Sequence, residues 1–237
     1  MLAEFKTEIK CKVIKLEMIE KIFIAGGAWQ TILKGLAVTV EISAVSLFFG
    51  TILGAVICFF RVGKILPLKI FAQIYISIIR GSPVLMLLML LFYGIFARSG
   101  LSPVTVAVIT FSMHTAAYVA EILRSALSAV DTGQIEAART LGFSKTQTFK
   151  LVTLPQITKI AKPVYQSTVI NLIQWTSVVG YVTITDLTRV INNTASRTMQ
   201  PMITIIGGMI IYLALSYLVH GIFILSERRR SYEGNNL

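Results

Sequence analysis

Two ionisable side chains lie inside long apolar stretches of the sequence. Arg80 interrupts the apolar run from Ile70 to Ala97, and Glu121 interrupts the run from Leu101 to Leu123. A charge in such a place is costly unless it is paired or functional, so both residues are candidates for a binding site. Arg80 is followed by Gly81-Ser82-Pro83, so the helix is expected to break there. Arg80 could bind the carboxylate of a ligand, and Glu121 could bind an amino group. Alternatively Arg80 pairs with Glu121, or Glu121 pairs with Arg124, three residues along the same helix face.

Polar side chains recur along one side of the fourth apolar segment. They are separated by four, three and three residues and comprise Ser167, Asn171, Gln174 and Ser177. Such a stripe would be expensive against lipid, so we expect it to line a translocation path or to hydrogen-bond across a dimer seam. Trp175 and Thr176 extend this candidate path. Trp175 could stack on a ligand, plug a gate or lie at the bilayer interface, where tryptophan is enriched.

Catalytic chemistry has one candidate pair. His114 and Glu121 are seven residues apart, hence about 10 Å along one helix, and could act as the acid and base of a membrane enzyme. Neither His114 nor His220 has a Cys, His or carboxylate at a metal-ligand spacing, which predicts no metal site. A third function, an autonomous ion-driven carrier, is disfavoured because the sequence shows no internal repeat.

These residues are embedded in a chain whose composition is that of an integral membrane protein. Hydrophobic residues make up 55% of its 237 residues and charged residues only 14%. Runs of roughly 20 apolar residues can cross a bilayer as helices. The sequence therefore predicts an all-α protein with about five transmembrane helices, over Gly35 to Phe60, Ile70 to Ala97, Leu101 to Leu123, Pro163 to Thr185 and Pro201 to Ser226.

The positions of Lys and Arg predict an orientation. They are concentrated in segments 61–69, 127–162 and 227–237, which places these segments in the cytoplasm and the amino terminus outside. The predicted domains are an extracytoplasmic or interfacial segment 1–28, a transmembrane domain 29–228 and a cytoplasmic tail 229–237. We attribute the net charge of +11 to topology and to anionic lipid, and expect no nucleic-acid partner.

The polar stretch 131–156 reads as two short helices between transmembrane segments. Asp131 or Thr132 can cap the first helix, and Gly142 suits the left-handed residue that ends it. Ser144 with Gln147 fits a capping box at the start of the second helix. Leu154-Pro155 is expected to end that helix, because the residue before a proline is pushed out of helical geometry.

This stretch also carries a recognisable spacing. Glu136-Ala137-Ala138, three residues, Gly142, nine residues and then Val152-x-Leu154-Pro155 resembles the cytoplasmic signature of ABC importer permeases. Arg80-Gly81-Ser82-Pro83 and the segment from Ala116 to Ile122 resemble the polar amino acid branch, of the histidine, glutamine or arginine type. One departure stands at Gln174 to Val178, where many of these permeases have a Lys with Asp or Asn before Thr-Ser.

The resemblance implies a subunit with five transmembrane helices that forms half of a dimeric pore in the bacterial cytoplasmic membrane. Its partners would be a second permease subunit, identical or related, a cytoplasmic ABC ATPase dimer, and an extracytoplasmic protein that delivers an amino acid or another small polar solute. The residues implied at the coupling helix and its flank are Glu136, Ala137, Ala138, Gly142, Leu154 and Pro155. The sequence has no G-x-x-x-x-G-K-[ST] loop, so ATP and Mg²⁺ are expected on the ATPase and no cofactor on this chain.

Overall fold

The computed structural model describes residues 27–234 and the side chains of residues 27–225. All regular secondary structure in this part of the chain is helical, which confirms the predicted all-α class. The α-helices are α1 (Ala28–Val62), α2 (Leu66–Gly81), α3 (Val84–Met89), α4 (Pro103–Ser128), α5 (Thr132–Thr140), α6 (Lys145–Thr148), α7 (Leu154–Trp175), α8 (Leu187–Thr198) and α9 (Pro201–Gly234). Wider π-helical turns occur at Leu90–Ile95 and Phe149–Thr153, and a 3₁₀ helix at Thr176–Val182.

Helix α4 is the centre of the bundle and packs most extensively against α1. Glycines on α1 allow this contact: a Cβ at Gly50 would lie 2.8 Å from the Cβ of Thr115, and a Cβ at Gly54 would lie 2.7 Å from the Cβ of Val119. In the 18-residue window that makes α4 long and apolar enough to span a membrane, 67% of the residues are buried, whereas the share in the corresponding window of α9 is 11%. The exposed surface of α9 is apolar, as expected of a helix that faces lipid or another membrane subunit.

Hydrogen bonds from hydroxyl groups tie the helices together in addition to this packing. The Tyr75 hydroxyl donates to the Met113 carbonyl oxygen over 2.7 Å and joins α2 to α4. Thr51 Oγ1 and the Tyr165 hydroxyl oxygen, 2.7 Å apart, join α1 to α7. Because an apolar medium offers these groups no alternative partner, such bonds help to fix the register of neighbouring helices.

Among the described residues, α1, α4 and Pro201–Leu225 of α9 are each long and apolar enough to cross a membrane. Helix α2 and the helix Val84–Ile95 meet the same criteria as a pair, but they are bent by 108°. This bend confirms the break expected at Arg80 to Pro83, with Ser82 and Pro83 both extended between the two helices. The predicted span Pro163 to Thr185 corresponds to α7 and the 3₁₀ helix. Neither of these two helices combines the length and the apolar composition that a membrane span requires. The count of five and the orientation stay predictions.

The predicted helix end at Leu154-Pro155 is wrong. The helical backbone runs from Lys145 through the π-helical turn and α7 to Trp175, with Pro155 in the first turn of α7. In a regular α-helix a proline ring clashes with the carbonyl group four residues earlier. Proline also has no backbone N–H, so that carbonyl group loses its hydrogen bond. The wider turn at Phe149–Thr153 changes that spacing, so the helix continues past Pro155.

The bundle has two distinct ends. Ile32, near the start of α1, packs against Leu187 and Val190 of α8. Val62, at the other end of α1, shares an apolar groove with Phe149. Because α1 has 35 residues, about 50 Å separate these two ends. Of the predicted amino-terminal segment 1–28, residues 1–26 lie outside the described range, as do the side chains of the predicted tail 229–237.

Candidate coupling and substrate sites

Helix α5 is fixed at both ends by the capping contacts that the sequence predicts. Asp131, not Thr132, is the N-cap: its Oδ1 accepts a hydrogen bond from the Gly133 N–H over 2.9 Å. At the other end Gly142 has φ +88°. The Phe143 N–H donates to the Ala138 carbonyl oxygen over 3.2 Å, and the Gly142 N–H to that of Arg139 over 3.1 Å. This pair of bonds is a Schellman motif, which sets the sharp turn towards α6.

The predicted capping box of the next helix is also confirmed. The Gln147 N–H donates to Ser144 Oγ over 3.2 Å, and the Ser144 N–H donates to Gln147 Oε1 over 2.8 Å. Two otherwise unpaired backbone donors are thus satisfied at the point where the chain enters the long helix. We refer to residues 131–156 as the coupling segment.

The coupling segment presents a surface suited to another protein. Glu136 and Ala137 are exposed, whereas Ala138 is buried against the bundle. Leu141 is 79% exposed and Phe143 is 37% exposed, so apolar side chains flank the acidic one. Exposed apolar anchors rimmed by polar groups are typical of a protein interface.

Two contacts attach α5 to the rest of the bundle. Gln156 Nε2 donates to Gln134 Oε1 over 2.7 Å, which links the start of α7 to α5. Ile135 packs on the cluster that includes Ala126 of α4 and Ile157 of α7. These two contacts connect α5 directly to α7. Of the other coupling candidates, Leu154 lines the apolar groove with Phe149 and Ile157, and Pro155 is exposed.

Arg80 and Glu121 have different partners. Glu121 Oε1 accepts a hydrogen bond from Arg124 Nε over 3.0 Å, as one of the predicted alternatives requires. Arg80 instead places its guanidinium carbon 5.0 Å from the ring centroid of Tyr118, in a cation–π contact. The alternative in which Arg80 pairs with Glu121 is not the arrangement observed.

Trp175 lies in an aromatic cluster between α4 and α7. Its ring centroid is 4.5 Å from that of His114 and 5.1 Å from that of Tyr118. Trp175 therefore packs on protein rings between two helices, and its predicted role at a ligand, a gate or the bilayer interface stays a prediction. His114 is buried in this cluster while Glu121 is engaged by Arg124, so the acid–base pair of the enzyme alternative is not assembled.

The polar stripe lies on an exposed face of α7. Asn171 and Gln174 are exposed, and Ser177 is half-buried. Gln174 and Ser177 line a cavity of about 360 Å³ together with Tyr212 and Ser216 of α9. Thr176 is not part of this cavity, because it is fully buried and donates its hydroxyl proton to the Ile173 carbonyl oxygen over 2.7 Å.

A second polar cavity of about 360 Å³ adjoins the first at Ser177. Arg189 of α8 lines it and was not among the predicted site residues. The signal that could have found it is Asp186, which caps α8 by accepting from the Arg189 N–H over 3.0 Å and so fixes where Arg189 lies. Burial raises the pKa of Asp186.

Comparison with known proteins identifies the family. Residues 46–232 match the family described as binding-protein-dependent transport system inner membrane component. The chain belongs to this family. It is therefore a transport component and not an enzyme, and the predicted resemblance to ABC importer permeases is confirmed.

Individual relatives agree with this assignment. The chain is 38% identical over 204 residues to the probable amino-acid ABC transporter permease protein YckA of Bacillus subtilis (strain 168), covering 85% of this chain and 90% of the relative. It is 32% identical over 203 residues to the L-cystine transport system permease protein TcyB of the same organism, covering 85% of this chain and 87% of that one. A chain in the crystal structure of an amino acid ABC transporter with histidines superposes with a TM-score of 0.77 at 30% identity, covering 84% of this chain and 94% of that chain.

In this permease family member we expect the contact between Gln134 and Gln156 to matter for coupling. Gln156→Leu removes a hydrogen bond worth about 1 kcal/mol, which corresponds to about a fivefold change in an equilibrium between two states. Solute transported per ATP hydrolysed should therefore fall by up to about fivefold in proteoliposomes. Gln73→Leu is the control, because Gln73 is exposed on α2 away from α5. Equal coupling ratios in the two variants would contradict the prediction.

The aromatic cluster should contribute to the stability of the permease. Trp175→Ala removes the rings' shared contacts and leaves a cavity, at a cost of about 3 kcal/mol. We expect a lower Tm of the purified protein in detergent, measured by intrinsic fluorescence of the remaining tryptophan. Trp29→Ala is the control, because Trp29 is 49% exposed and its loss should lower the Tm less. The two variants retain different tryptophans, so their Tm values are compared with a thiol-reactive dye. An unchanged Tm for Trp175→Ala would show that the cluster is not structural.

Proposed function

We propose that this chain is the transmembrane permease subunit of an ATP-driven importer of amino acids in the bacterial cytoplasmic membrane. The family assignment and the amino-acid transporters among its relatives support this proposal. The relatives include permease proteins of L-cystine and arginine transport systems, so the shared substrate class is an amino acid.

The observation that carries the proposal is the exposed, doubly capped helix α5. Its exposed face offers Glu136, Ala137 and the apolar Leu141 to a partner. We assign this face, with Gly142 as the turn behind it, to the contact with a cytoplasmic ABC ATPase dimer that binds ATP and Mg²⁺. The Glu136 carboxylate and the Leu141 side chain could occupy a groove of that partner, as amphipathic helices do in other protein complexes.

A second permease subunit would complete the pore. Asn171 and Gln174 project from α7 into the surroundings of the isolated chain, and polar side chains in contact with lipid are unfavourable. A second copy or a related subunit against α7 would cover them and enclose the cavity that Gln174 and Ser177 line. Arg80 and Trp175 both contact the Tyr118 ring, Thr176 is buried and Glu121 is paired with Arg124, and none of these four residues lines this cavity.

ATP binding would act on the permease through α5. Closure of the ATPase dimer moves the two docked helices, and the contacts of Gln134 and Ile135 pass that movement to α7. The permease pair then alternates between openings to either side of the membrane. An extracytoplasmic binding protein supplies the amino acid when the outer side is open.

Reconstitution tests this function. The permease, its ATPase and its binding protein are placed in proteoliposomes, and each of the twenty standard amino acids and cystine is assayed for uptake and for stimulation of ATP hydrolysis. We expect at least one to be accumulated in an ATP-dependent manner. Accumulation by the permease alone, or stimulation by none of these compounds, would contradict the proposal.

A further inference from the structure

The cavity between the 3₁₀ helix and α8 has the composition of a site for a small polar ligand. Six residues line its volume of about 360 Å³: Ser177, Gly180, Tyr181, Thr188, Arg189 and Asn192. Ser177, Tyr181 and Thr188 carry hydroxyl groups, Asn192 an amide and Arg189 a guanidinium group, so hydrogen-bond donors surround the space. The volume is within the range of small-molecule sites.

The guanidinium group of Arg189 is positioned but not neutralised. Its Nη1 donates to the Gly180 carbonyl oxygen over 3.1 Å, which holds the side chain at the cavity wall. Asp186, the nearest acidic residue in the sequence, accepts from the backbone N–H groups of Thr188 and Arg189. Within residues 27–225 no carboxylate pairs with the Arg189 guanidinium. An arginine in this state has donors left for a planar anion such as a carboxylate.

The cavity also lies where an incoming solute would arrive. It belongs to the α8 end of the bundle, about 50 Å along α1 from the coupling segment. Ser177 is shared with the cavity that Gln174 lines, and the two cavities are separated by the contact of Thr188 Oγ1 with the Tyr212 hydroxyl, 2.8 Å apart. A ligand released from the Arg189 cavity therefore meets the polar side of α7 next.

We propose that Arg189 binds the α-carboxylate of the amino acid in this cavity, before the amino acid reaches the polar stripe of α7. This inference rests on the proposed function and adds a binding residue to it. Thr188 and Asn192 lie beside Arg189 and offer further hydrogen bonds to the carboxylate. Arg80 is not this anchor, since its guanidinium group is stacked on Tyr118.

The first test uses the complete transporter in proteoliposomes with an amino acid that the wild type accumulates. Arg189→Gln should lower uptake about tenfold or more, as expected for the loss of one charged hydrogen bond. Stimulation of ATP hydrolysis by the loaded binding protein should stay within about twofold of the wild type, because the coupling segment is unchanged. Arg197→Gln is the matched control, since Arg197 is exposed on the same helix, and it should behave as the wild type.

The second test separates ligand binding from a structural role of the contact with Gly180. Asn192→Cys is introduced into a chain that carries Cys11→Ser and Cys58→Ser, and its reaction with an anionic thiol reagent is timed. The amino acid should slow this reaction several-fold more than its carboxamide does, because only the acid pairs with Arg189. Adding Arg189→Gln should abolish the difference between acid and amide, whereas a structural role would leave that preference intact.

The outcomes are distinguishable from a failure of the proposed function. Equal uptake by Arg189→Gln and Arg197→Gln overturns the carboxylate site while the importer assignment stands. Loss of ATPase stimulation in parallel with uptake also overturns it, because Arg189 would then belong to the contact with the binding protein. If no amino acid drives uptake by the wild type, the function itself has failed and the site with it.

Discussion

Gly142→Asp is expected to reduce uptake to the background of empty proteoliposomes while the chain still inserts into the membrane. Gly142 has φ +88°, a region that is costly for a residue with a Cβ, and it makes the Schellman bond that closes α5. The substitution should reorient the exposed face that carries Glu136. ATP hydrolysis then proceeds without transport, which is measured as the ratio of accumulated amino acid to phosphate released.

Two controls separate this effect from general strain. Gly142→Asn keeps the size of the side chain but tolerates the left-handed region better, and it should retain more transport than Gly142→Asp. Gly100→Asp meets a comparable backbone penalty at φ +70°, in the loop between Ile95 and α4 and outside the coupling segment. It should keep the coupling ratio of the wild type. Uncoupling by Gly100→Asp would count against a specific role of Gly142.

Gly54→Val is the second change with a large expected effect, and it acts on folding. A Cβ at Gly54 would lie 2.7 Å from the Cβ of Val119 and 2.9 Å from the Ala116 carbonyl oxygen. Backbone atoms cannot yield as a flexible side chain can, so α1 and α4 would have to separate. Overpacking of this kind costs about 1–3 kcal/mol or more, and the fraction recovered as folded monodisperse protein in detergent should fall sharply.

Gly221→Val provides the comparison for this experiment. A Cβ at Gly221 meets no described atom within 4 Å, and α9 faces outward along most of its length. This variant should elute from size-exclusion chromatography as the wild type does. Normal recovery of Gly54→Val would mean that α1 and α4 are not as closely packed as the structure indicates.

Local signals in the sequence predicted much of the architecture. The predictions at Gly142 and at the Ser144–Gln147 pair are confirmed, and Asp131 is one of the two caps that the sequence offers, because a cap depends on a few neighbouring residues and their backbone angles. The break at Gly81 to Pro83 was found for the same reason. Pro155 misled the prediction, because the wider turn that accommodates it has no simple sequence pattern.

Contacts between distant segments were harder to derive. The sequence offered two partners for Glu121 and could not choose between Arg80 on another helix and Arg124 on its own. In the structure Arg80 lies over the Tyr118 ring and does not pair with Glu121. This contact depends on how α2 crosses α4, which the sequence does not show. Arg189 was not predicted because its cavity forms only where the 3₁₀ helix and α8 pack together, and the Asp186 cap alone does not indicate a cavity.

The unbroken helical path through Pro155 has a mechanical consequence. From Lys145 to Trp175 the chain rises roughly 45 Å at 1.5 Å per residue. If this length tilts about its Lys145 end, a rotation of about 5° carries the Trp175 end sideways by about 4 Å. That displacement is wider than a water molecule, so a very small swivel at the Lys145 end would be enough to change the width of the cavity beside Gln174.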